Sequence, residues 1–246
     1  PTSGRHPLTH MVFDPNDASS LYDNVGSHTD VCEQGGVFPF PCPEETGDES
    51  RGTIRRFILD DDLRAPRFET VAHGVRNSMA LAVHAPSGIL LQAENSRDSI
   101  DKRAPELADL EAELPHEELN LIAPGQHSGW PYCYDNGVAS PEYPDVDCTA
   151  YQSPALLLPG HAAPLGMLFY EGDMLPEAYR GNLIIGYHGY RPTGHRIVMV
   201  PIDETGVPNG EPLDLVRGWD EKDTTPQGAP VGLTVASDGS IYVADD

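Results

Sequence analysis

The sequence has 246 residues and a formal net charge of −24, with 39 acidic residues against 15 lysines and arginines. Such a negative field repels nucleic acids and anionic membranes, so we expect neither as a partner. The sequence has no run of about 18 apolar residues, which excludes a membrane-spanning helix. An anionic ligand could therefore bind only where a few arginines are concentrated.

The four cysteines form two local pairs, Cys32 with Cys42 and Cys133 with Cys148. As disulfides, each pair would close a loop of about 10–15 residues, which is worth roughly 3 kcal/mol of unfolded-state entropy. No Cys-x-x-Cys spacing is present, so zinc is not expected. Two disulfides predict a periplasmic or extracellular protein, and four free thiols in a cytosolic protein are the alternative.

A strand–turn–strand pattern recurs along the chain, each time ending in polar residues. The copies are Met11–Ser27, Leu81–Glu94, a looser Leu165–Gly186, and Leu233–Asp245. Their starts lie about 65–85 residues apart, which favours the blades of one β-propeller over a sandwich. The sequence therefore predicts an all-β fold, as a single propeller domain over residues 1–246.

The best helix candidate covers Asp101 to Glu118, with leucines at helical spacing. Pro105 and Pro115 limit this stretch to a short insert, because proline interrupts the helical hydrogen-bond ladder. We expect an acidic insert at about 98–117. The sequence opens without a methionine or signal peptide and ends within a strand pattern, so we also expect it to be part of a longer protein.

In a propeller, the segments before each first strand and after each second strand converge on the central channel. In this sequence those segments carry imidazoles and guanidiniums although the chain is acidic. They include His6, Arg76 with Asn77, His161, Arg191 and Arg196. A general base beside cations suits a polycarboxylate cofactor. Each residue also has a plain interpretation, since loop histidines are often structural and Arg76 could pair with one of the many acids.

Several motifs together carry a resemblance to a known family. They are Gly74-Val75-Arg76-Asn77, Ala93-Glu94-Asn95, Glu118-Leu119-Asn120, Gly129-Trp130-Pro131, His161-Ala162-Ala163-Pro164 and the final Asp238–Asp246 segment. The chain resembles the soluble PQQ-dependent glucose/sorbosone (aldose sugar) dehydrogenases over nearly its whole length. The resemblance implies a six-bladed β-propeller that binds pyrroloquinoline quinone (PQQ) and Ca²⁺. Family chains are longer, so part of an N-terminal blade and the closing strand are expected to be missing.

The resemblance also implies a role for each site residue. His6 falls at the catalytic base and Arg76 at a catalytic and quinone-binding position. The backbone carbonyls of Ser96 and Arg97 fall where the family holds Ca²⁺. The other quinone-binding positions are Asn77, His161, Arg191 and Arg196. The implied reaction is oxidation of an aldose or hydroxy-aldehyde (sorbosone-like) at its anomeric carbon by hydride transfer to the quinone. An external acceptor, a quinone or cytochrome c, would then take the electrons.

The chain departs from the family at three places. His10 stands where an arginine is usual, Met79 replaces a polar quinone contact, and Ser96-Arg97 replaces a Gly-Pro pair. Two other functions stay open. One is a calcium-dependent gluconolactonase-like hydrolase, for which Asn95 and Asp98 could contribute to a metal cage. The other is a non-catalytic propeller that binds a sugar or a protein.

Overall fold

The computed structural model describes residues 5–6, 10–47, 49–62, 64–65, 67–219 and 228–246. The strands of this part of the chain are, in order, β1 (Met11–Asp14), β2 (Asp17–Val25), β3 (Thr53–Ile58), β4 (Arg67–His73), β5 (Ala80–Val83), β6 (Leu90–Glu94), β7 (Glu117–Ile122), β8 (Gln126–His127), β9 (Cys133–Tyr134), β10 (Val138–Ala139), β11 (Leu156–Leu158), β12 (Pro164–Phe169), β13 (Leu183–Tyr187), β14 (Arg196–Val200), β15 (Leu213–Val216), β16 (Pro230–Val235) and β17 (Ile241–Asp245). Short 3₁₀ helices cover Pro43–Glu45, Ile100–Lys102, Pro105–Leu110, Cys148–Ala150 and Glu177–Tyr179. The fold is all-β, as predicted, and no described helix could span a membrane.

The sheets are antiparallel blades. Blade 1 has the order β1-β2-β3-β4, with the two-residue strand β8 added in parallel to β4. Blade 2 has the order β5-β6-β7-β11, and blade 3 has the order β12-β13-β14-β15. Strands β16 and β17 pair as a two-stranded blade 4. Each predicted repeat is the first two strands of one blade, so the repeat prediction is confirmed.

The blades pack face to face, and alternation along β5 shows how. All four residues of β5 are buried, because successive side chains point to opposite faces of the sheet. Leu81 and Val83 join Ile54 in the core between blades 1 and 2, whereas Ala80 and Ala82 join the core between blades 2 and 3. A further core joins blades 3 and 4. This stacking of twisted sheets is a β-propeller.

The predicted six-bladed ring is represented, in the part of the chain that the structure describes, by three four-stranded blades and the strand pair of blade 4. The assignment of residues 1–246 to one domain includes undescribed positions and stays a prediction. The acidic insert joins β6 to β7 and forms the 3₁₀ helices Ile100–Lys102 and Pro105–Leu110. Glu117, the last residue of the predicted insert, is the first residue of β7.

Both predicted disulfides are formed, Cys32–Cys42 and Cys133–Cys148. They border an aromatic cluster in which Trp130 is 7% exposed. The indole N–H of Trp130 donates to the carbonyl of Asp30, with a nitrogen–oxygen distance of 2.8 Å. Gly52 has a positive φ, and a Cβ there would come 3.0 Å from the indole ring. The tryptophan therefore fixes the loop that carries Asp30 beside the candidate site.

Candidate functional site

A cavity of about 570 Å³ lies at one end of the blades, where the predicted segments meet. It is lined by residues that precede the first strands of blades 1 to 3 and residues that follow the second strands of blades 2 and 3. These residues are Arg5, His6, Arg76, Asn77, Asn95–Ser99, Glu111, Pro115, Glu117, His161, Ala163 and Gly189–Arg191. Seven of the eight predicted site residues therefore share one cavity.

His6 is buried and held in one orientation. Its backbone packs against Gly26, where a Cβ would come 2.5 Å from the His6 Cβ. Its ring Nδ1 lies 2.8 Å from the hydroxyl of Ser27, and that hydroxyl donates its only hydrogen to the carbonyl of Thr29 at 2.6 Å. The Ser27 oxygen must therefore accept from Nδ1–H, which leaves the lone pair of a neutral His6 on Nε2.

The charge environment keeps His6 neutral. Burial, together with the nearby cations Arg76 and Arg5, lowers the pKa of His6 to about 3. Ser27 also connects the two predicted catalytic residues, because its backbone N–H donates to the carbonyl of Arg76 at 2.8 Å. Ser27 was not among the residues predicted to form the site. Its position at the end of the first repeat, directly after the second strand, was the available signal.

Arg76 is only 4% exposed, and its guanidinium faces protein oxygens. Nε donates to Asp30 at 2.8 Å, and Nη2 lies 3.2 Å from a carboxylate oxygen of Asp98. Nη1 donates to the carbonyls of Asn95 and Ser96, both at 2.8 Å. The structure thus brings Arg76 to the cavity, as predicted, but directs its donors toward the loops that follow β2 and β6.

The carbonyls of Ser96 and Arg97, assigned to Ca²⁺ from the sequence, belong to the loop that lines the cavity, and their metal role stays a prediction. The Ser96 carbonyl, together with that of Asn95, accepts from the Arg76 guanidinium. The side chain of Arg97 forms a buried ion pair with Glu142, whose side chain is 1% exposed. Arg97 therefore serves to fix this loop, and the buried pair explains why a charged residue stands here.

Two buried glutamates hold the loops of the site. Glu94, at the end of β6, accepts the backbone N–H groups of Arg76 and Asn77. Glu117, at the start of β7, accepts those of Ser96 and Ala163. Burial raises the pKa of both carboxyls, that of Glu117 to about 8. Neither glutamate was among the predicted site residues, although both stand at strand ends beside them.

Across the cavity, Arg191 forms a forked ion pair with the acidic insert. Its Nη1 donates to Glu111 Oε2 at 2.8 Å, and its Nη2 donates to Glu111 Oε1. The ring Nε2 of His161 lies 2.7 Å from the Glu111 carbonyl. The Arg191 guanidinium lowers the pKa of the Glu111 carboxyl. Both predicted residues therefore line the cavity, and both contact the insert.

Arg196 does not line this cavity. It is the first residue of β14, and the two-residue alternation of a strand places its side chain on the face that carries Val198. There the guanidinium lies 3.3 Å from an oxygen of Asp214 and donates to the carbonyls of Pro192 and Gly194. The spacing within the 187–196 loop had suggested two ligand-binding arginines, and the structure places only Arg191 at the cavity.

In the described part of the chain, no group of three His, Cys, Asp or Glu side chains is arranged to hold a metal ion. A lactonase-type cage that includes Asn95 is not tested by this and stays a hypothesis. Asp98 pairs with Arg5 at 2.8 Å and with Arg76 at 3.2 Å. His10, one of the three departures from the family pattern, is absent from the cavity lining, and burial lowers its pKa.

Comparison with known proteins gives one family match. A profile of the family described as "Glucose / Sorbosone dehydrogenase" matches residues 64–211, which is more than half of the chain. An uncharacterized protein of Borreliella burgdorferi is 29% identical over 196 residues, covering 77% of this chain and 49% of that protein. A pyrroloquinoline quinone-dependent pyranose dehydrogenase of Coprinopsis cinerea is 31% identical over 146 residues, covering 50% of this chain and 19% of that enzyme. The chain thus spans half or less of these relatives.

Solved structures show the same fold. A Trichoderma reesei carbohydrate-active enzyme of family AA12, in its calcium structure, superposes with a TM-score of 0.79 at 20% identity, covering 100% of this chain and 67% of that chain. The holo PQQ domain of the Coprinopsis cinerea pyranose dehydrogenase gives 0.72 at 20% identity, covering 99% and 68%. The apo soluble aldose sugar dehydrogenase of Escherichia coli gives 0.65 at 20% identity, covering 100% and 62%. At such identities the likeness shows the fold alone.

Proposed function

Because this chain belongs to the glucose/sorbosone dehydrogenase family, we propose that it oxidises an aldose or a related hydroxy-aldehyde with PQQ and Ca²⁺ as cofactors. The observation that carries the proposal is the meeting of three arginines, Arg5, Arg76 and Arg191, with a neutral His6 around one cavity. In a chain of net charge −24 this is a local concentration of cations. The base can accept the proton of a substrate hydroxyl group, and the cations can bind the carboxylates of the cofactor.

The residues present fit these cofactors. The Arg191 guanidinium is 38% exposed and can pair with a carboxylate through two parallel hydrogen bonds. The side-chain oxygens of Asn77 and Asn95 are buried without a hydrogen-bond partner. The carbonyls of Asn95 and Ser96 already converge on a cationic group, and carbonyl oxygens are ligands that Ca²⁺ accepts. Bound PQQ would supply the two-electron oxidant, and Ca²⁺ would supply a Lewis acid.

His6 would remove the proton of the substrate hydroxyl. The bond from Nδ1–H to Ser27 leaves Nε2 as the accepting atom, and a general base in this role contributes about 10²–10⁴-fold. A free-site pKa of about 3 makes His6 a weak base. Since Arg5 and Arg76 contribute to that lowering, an anionic ligand beside them would offset their charge and raise the pKa of His6. In this proposal, ligand binding therefore strengthens the base.

We propose that the substrate enters, and the electron acceptor approaches, through the open side of the cavity. The Tyr190 side chain lines it and is 77% exposed, so its ring offers an apolar surface for a sugar. We propose that an external acceptor, a quinone or cytochrome c, takes the electrons. The two disulfides are typical of a protein outside the cytoplasm, and we propose a periplasmic or extracellular location.

One experiment tests the proposal. PQQ and CaCl₂ are added to the purified protein, the quinone absorption is followed, and dye reduction is measured with several aldoses. His6→Gln is expected to keep quinone binding and to lose most of kcat, by about 10²–10⁴-fold. Absence of any spectral change would refute the assignment to the quinone-dependent oxidases. A spectral change without dye reduction would favour a non-catalytic binding propeller.

A further inference from the structure

The acidic insert is anchored at both of its ends. Ile100 is fully buried and Ala104 is 3% exposed, so these two side chains anchor the start of the insert in the protein. At the other end, a Cβ on Gly160 would come 2.2 Å from the carbonyl oxygen of Glu113, which shows how closely the chains approach. The segment between these anchors carries Glu111. The insert therefore holds this side chain at a defined place on the cavity wall.

Glu111 occupies the hydrogen-bond donors of Arg191, the guanidinium that would bind a carboxylate of the proposed cofactor. Both carboxylate oxygens of Glu111 pair with the two terminal nitrogens of Arg191. This is the forked arrangement in which an arginine recognises the carboxylate of a ligand. The Glu111 and Arg191 side chains are 30% and 38% exposed, so solvent and solutes reach the pair. A ligand carboxylate can bind Arg191 in this way only when Glu111 has moved away.

We propose that Glu111 is an internal competitor for the anion-binding fork of Arg191 and thereby sets the affinity of the site for polycarboxylate ligands. The inference rests on the proposed function for the identity of the ligand, PQQ. It concerns a residue of the insert that the family resemblance does not assign. Exchange of one carboxylate for another leaves the charge of Arg191 compensated in both states. The cost of binding is therefore the release of Glu111 and its repulsion of the incoming anion.

The magnitude follows from the exposure of the pair. Exposed ion pairs contribute about 0.2–1 kcal/mol, and good forked geometry lies at the upper end of that range. Removing the competitor should therefore strengthen anion binding by about fivefold, and removing a like charge at the cavity wall should add to this. We expect a total of about three- to tenfold. The difference should shrink at high salt, since salt screens partly exposed charges.

The test compares Glu111→Gln with Glu113→Gln. Both variants remove one negative charge from the same turn of the insert, but Glu113 is exposed and is absent from the cavity lining. PQQ is titrated into each protein with CaCl₂, and binding is followed by quinone absorption without any sugar. Glu111→Gln should bind PQQ about three- to tenfold more tightly than wild type, and Glu113→Gln should bind within about twofold of wild type. Thermal unfolding checks that each variant is folded.

A double variant shows whether Glu111 acts through Arg191. In an Arg191→Gln background, the gain from Glu111→Gln should fall to the smaller part that charge repulsion contributes, because the competed group is gone. Equal affinity of wild type, Glu111→Gln and Glu113→Gln would overturn the inference while leaving the proposed function standing. The same gain in the presence and absence of Arg191 would also overturn it. Binding with the predicted pattern but without dye reduction would overturn the proposed function alone, and absence of binding in all proteins would overturn both.

Discussion

Ser27→Ala should disable His6 without disturbing the rest of the cavity. The Ser27 hydroxyl accepts from His6 Nδ1 at 2.8 Å and donates to the Thr29 carbonyl at 2.6 Å. Without it, the buried Nδ1–H loses its partner, at a cost of about 1–3 kcal/mol. The neutral ring can avoid that cost by moving its proton to Nε2, which removes the accepting lone pair. By the tenfold-per-1.4 kcal/mol relation, kcat should fall about 5- to 150-fold.

The control is Ser20→Ala in β2. Ser20 is also fully buried and also makes side-chain hydrogen bonds, to Asp17 and Arg56, but it is absent from the cavity lining. Steady-state dye reduction at saturating PQQ and Ca²⁺ gives kcat, and ¹⁵N NMR of the His6 ring reports the tautomer directly. We expect Ser27→Ala to shift the tautomer signal and to leave the Kd for PQQ within about twofold. An unchanged His6 tautomer, or an equal loss of kcat in Ser20→Ala, would refute the reasoning.

Two further predictions concern Arg191 and Glu117. Arg191→Gln should weaken PQQ binding by about fivefold or more, the upper value of a partly exposed ion pair, whereas Arg196→Gln should leave binding unchanged because Arg196 pairs with Asp214. Comparable losses in titration would contradict the placement of Arg196. Burial raises the pKa of Glu117 from 4.5 to about 8, so the native state retains a proton that the unfolded state releases, and stability should fall as pH rises through that interval. Glu117→Gln should reduce the slope of the unfolding free energy against pH by up to about 1.4 kcal/mol per pH unit, as measured by urea unfolding at several pH values. An identical slope in wild type and variant would show that Glu117 ionises normally.

The blades could be predicted from the sequence because their signal is local. Each first strand is a short apolar run, a turn follows, and the second strand ends in polar residues, as at Leu90–Glu94. The convergence of His6, Arg76 and His161 followed from the propeller geometry, since each precedes a first strand. The disulfides followed from the short separations of the cysteines.

The predictions fail or are incomplete where the direction of a side chain, or a contact between distant parts of the chain, determines the environment of a residue. Arg191 and Arg196 are close in sequence, but Arg191 lies in the loop before β14 and lines the cavity, whereas Arg196 lies in β14 on the face of Val198. The partner of Arg191 is Glu111, 80 residues away, on an insert whose path no local pattern specifies. Glu94 and Glu117 look like ordinary surface acids in the sequence, although both are buried beneath the loops of the site.

The parallel pairing of β8 with β4 has a consequence for cooperativity. After β7 of blade 2, the chain returns to blade 1, where His127 aligns with His73, and the Gln152 N–H then donates to the His127 carbonyl before β11 completes blade 2. Blade 2 is therefore finished only by a segment that has first been joined to blade 1. Separation of the two blades would break this cross-connection as well as their shared core. We therefore expect blades 1 and 2 to exchange their amide hydrogens as one unit, while β16 and β17, which follow blade 3 in simple succession, can open on their own.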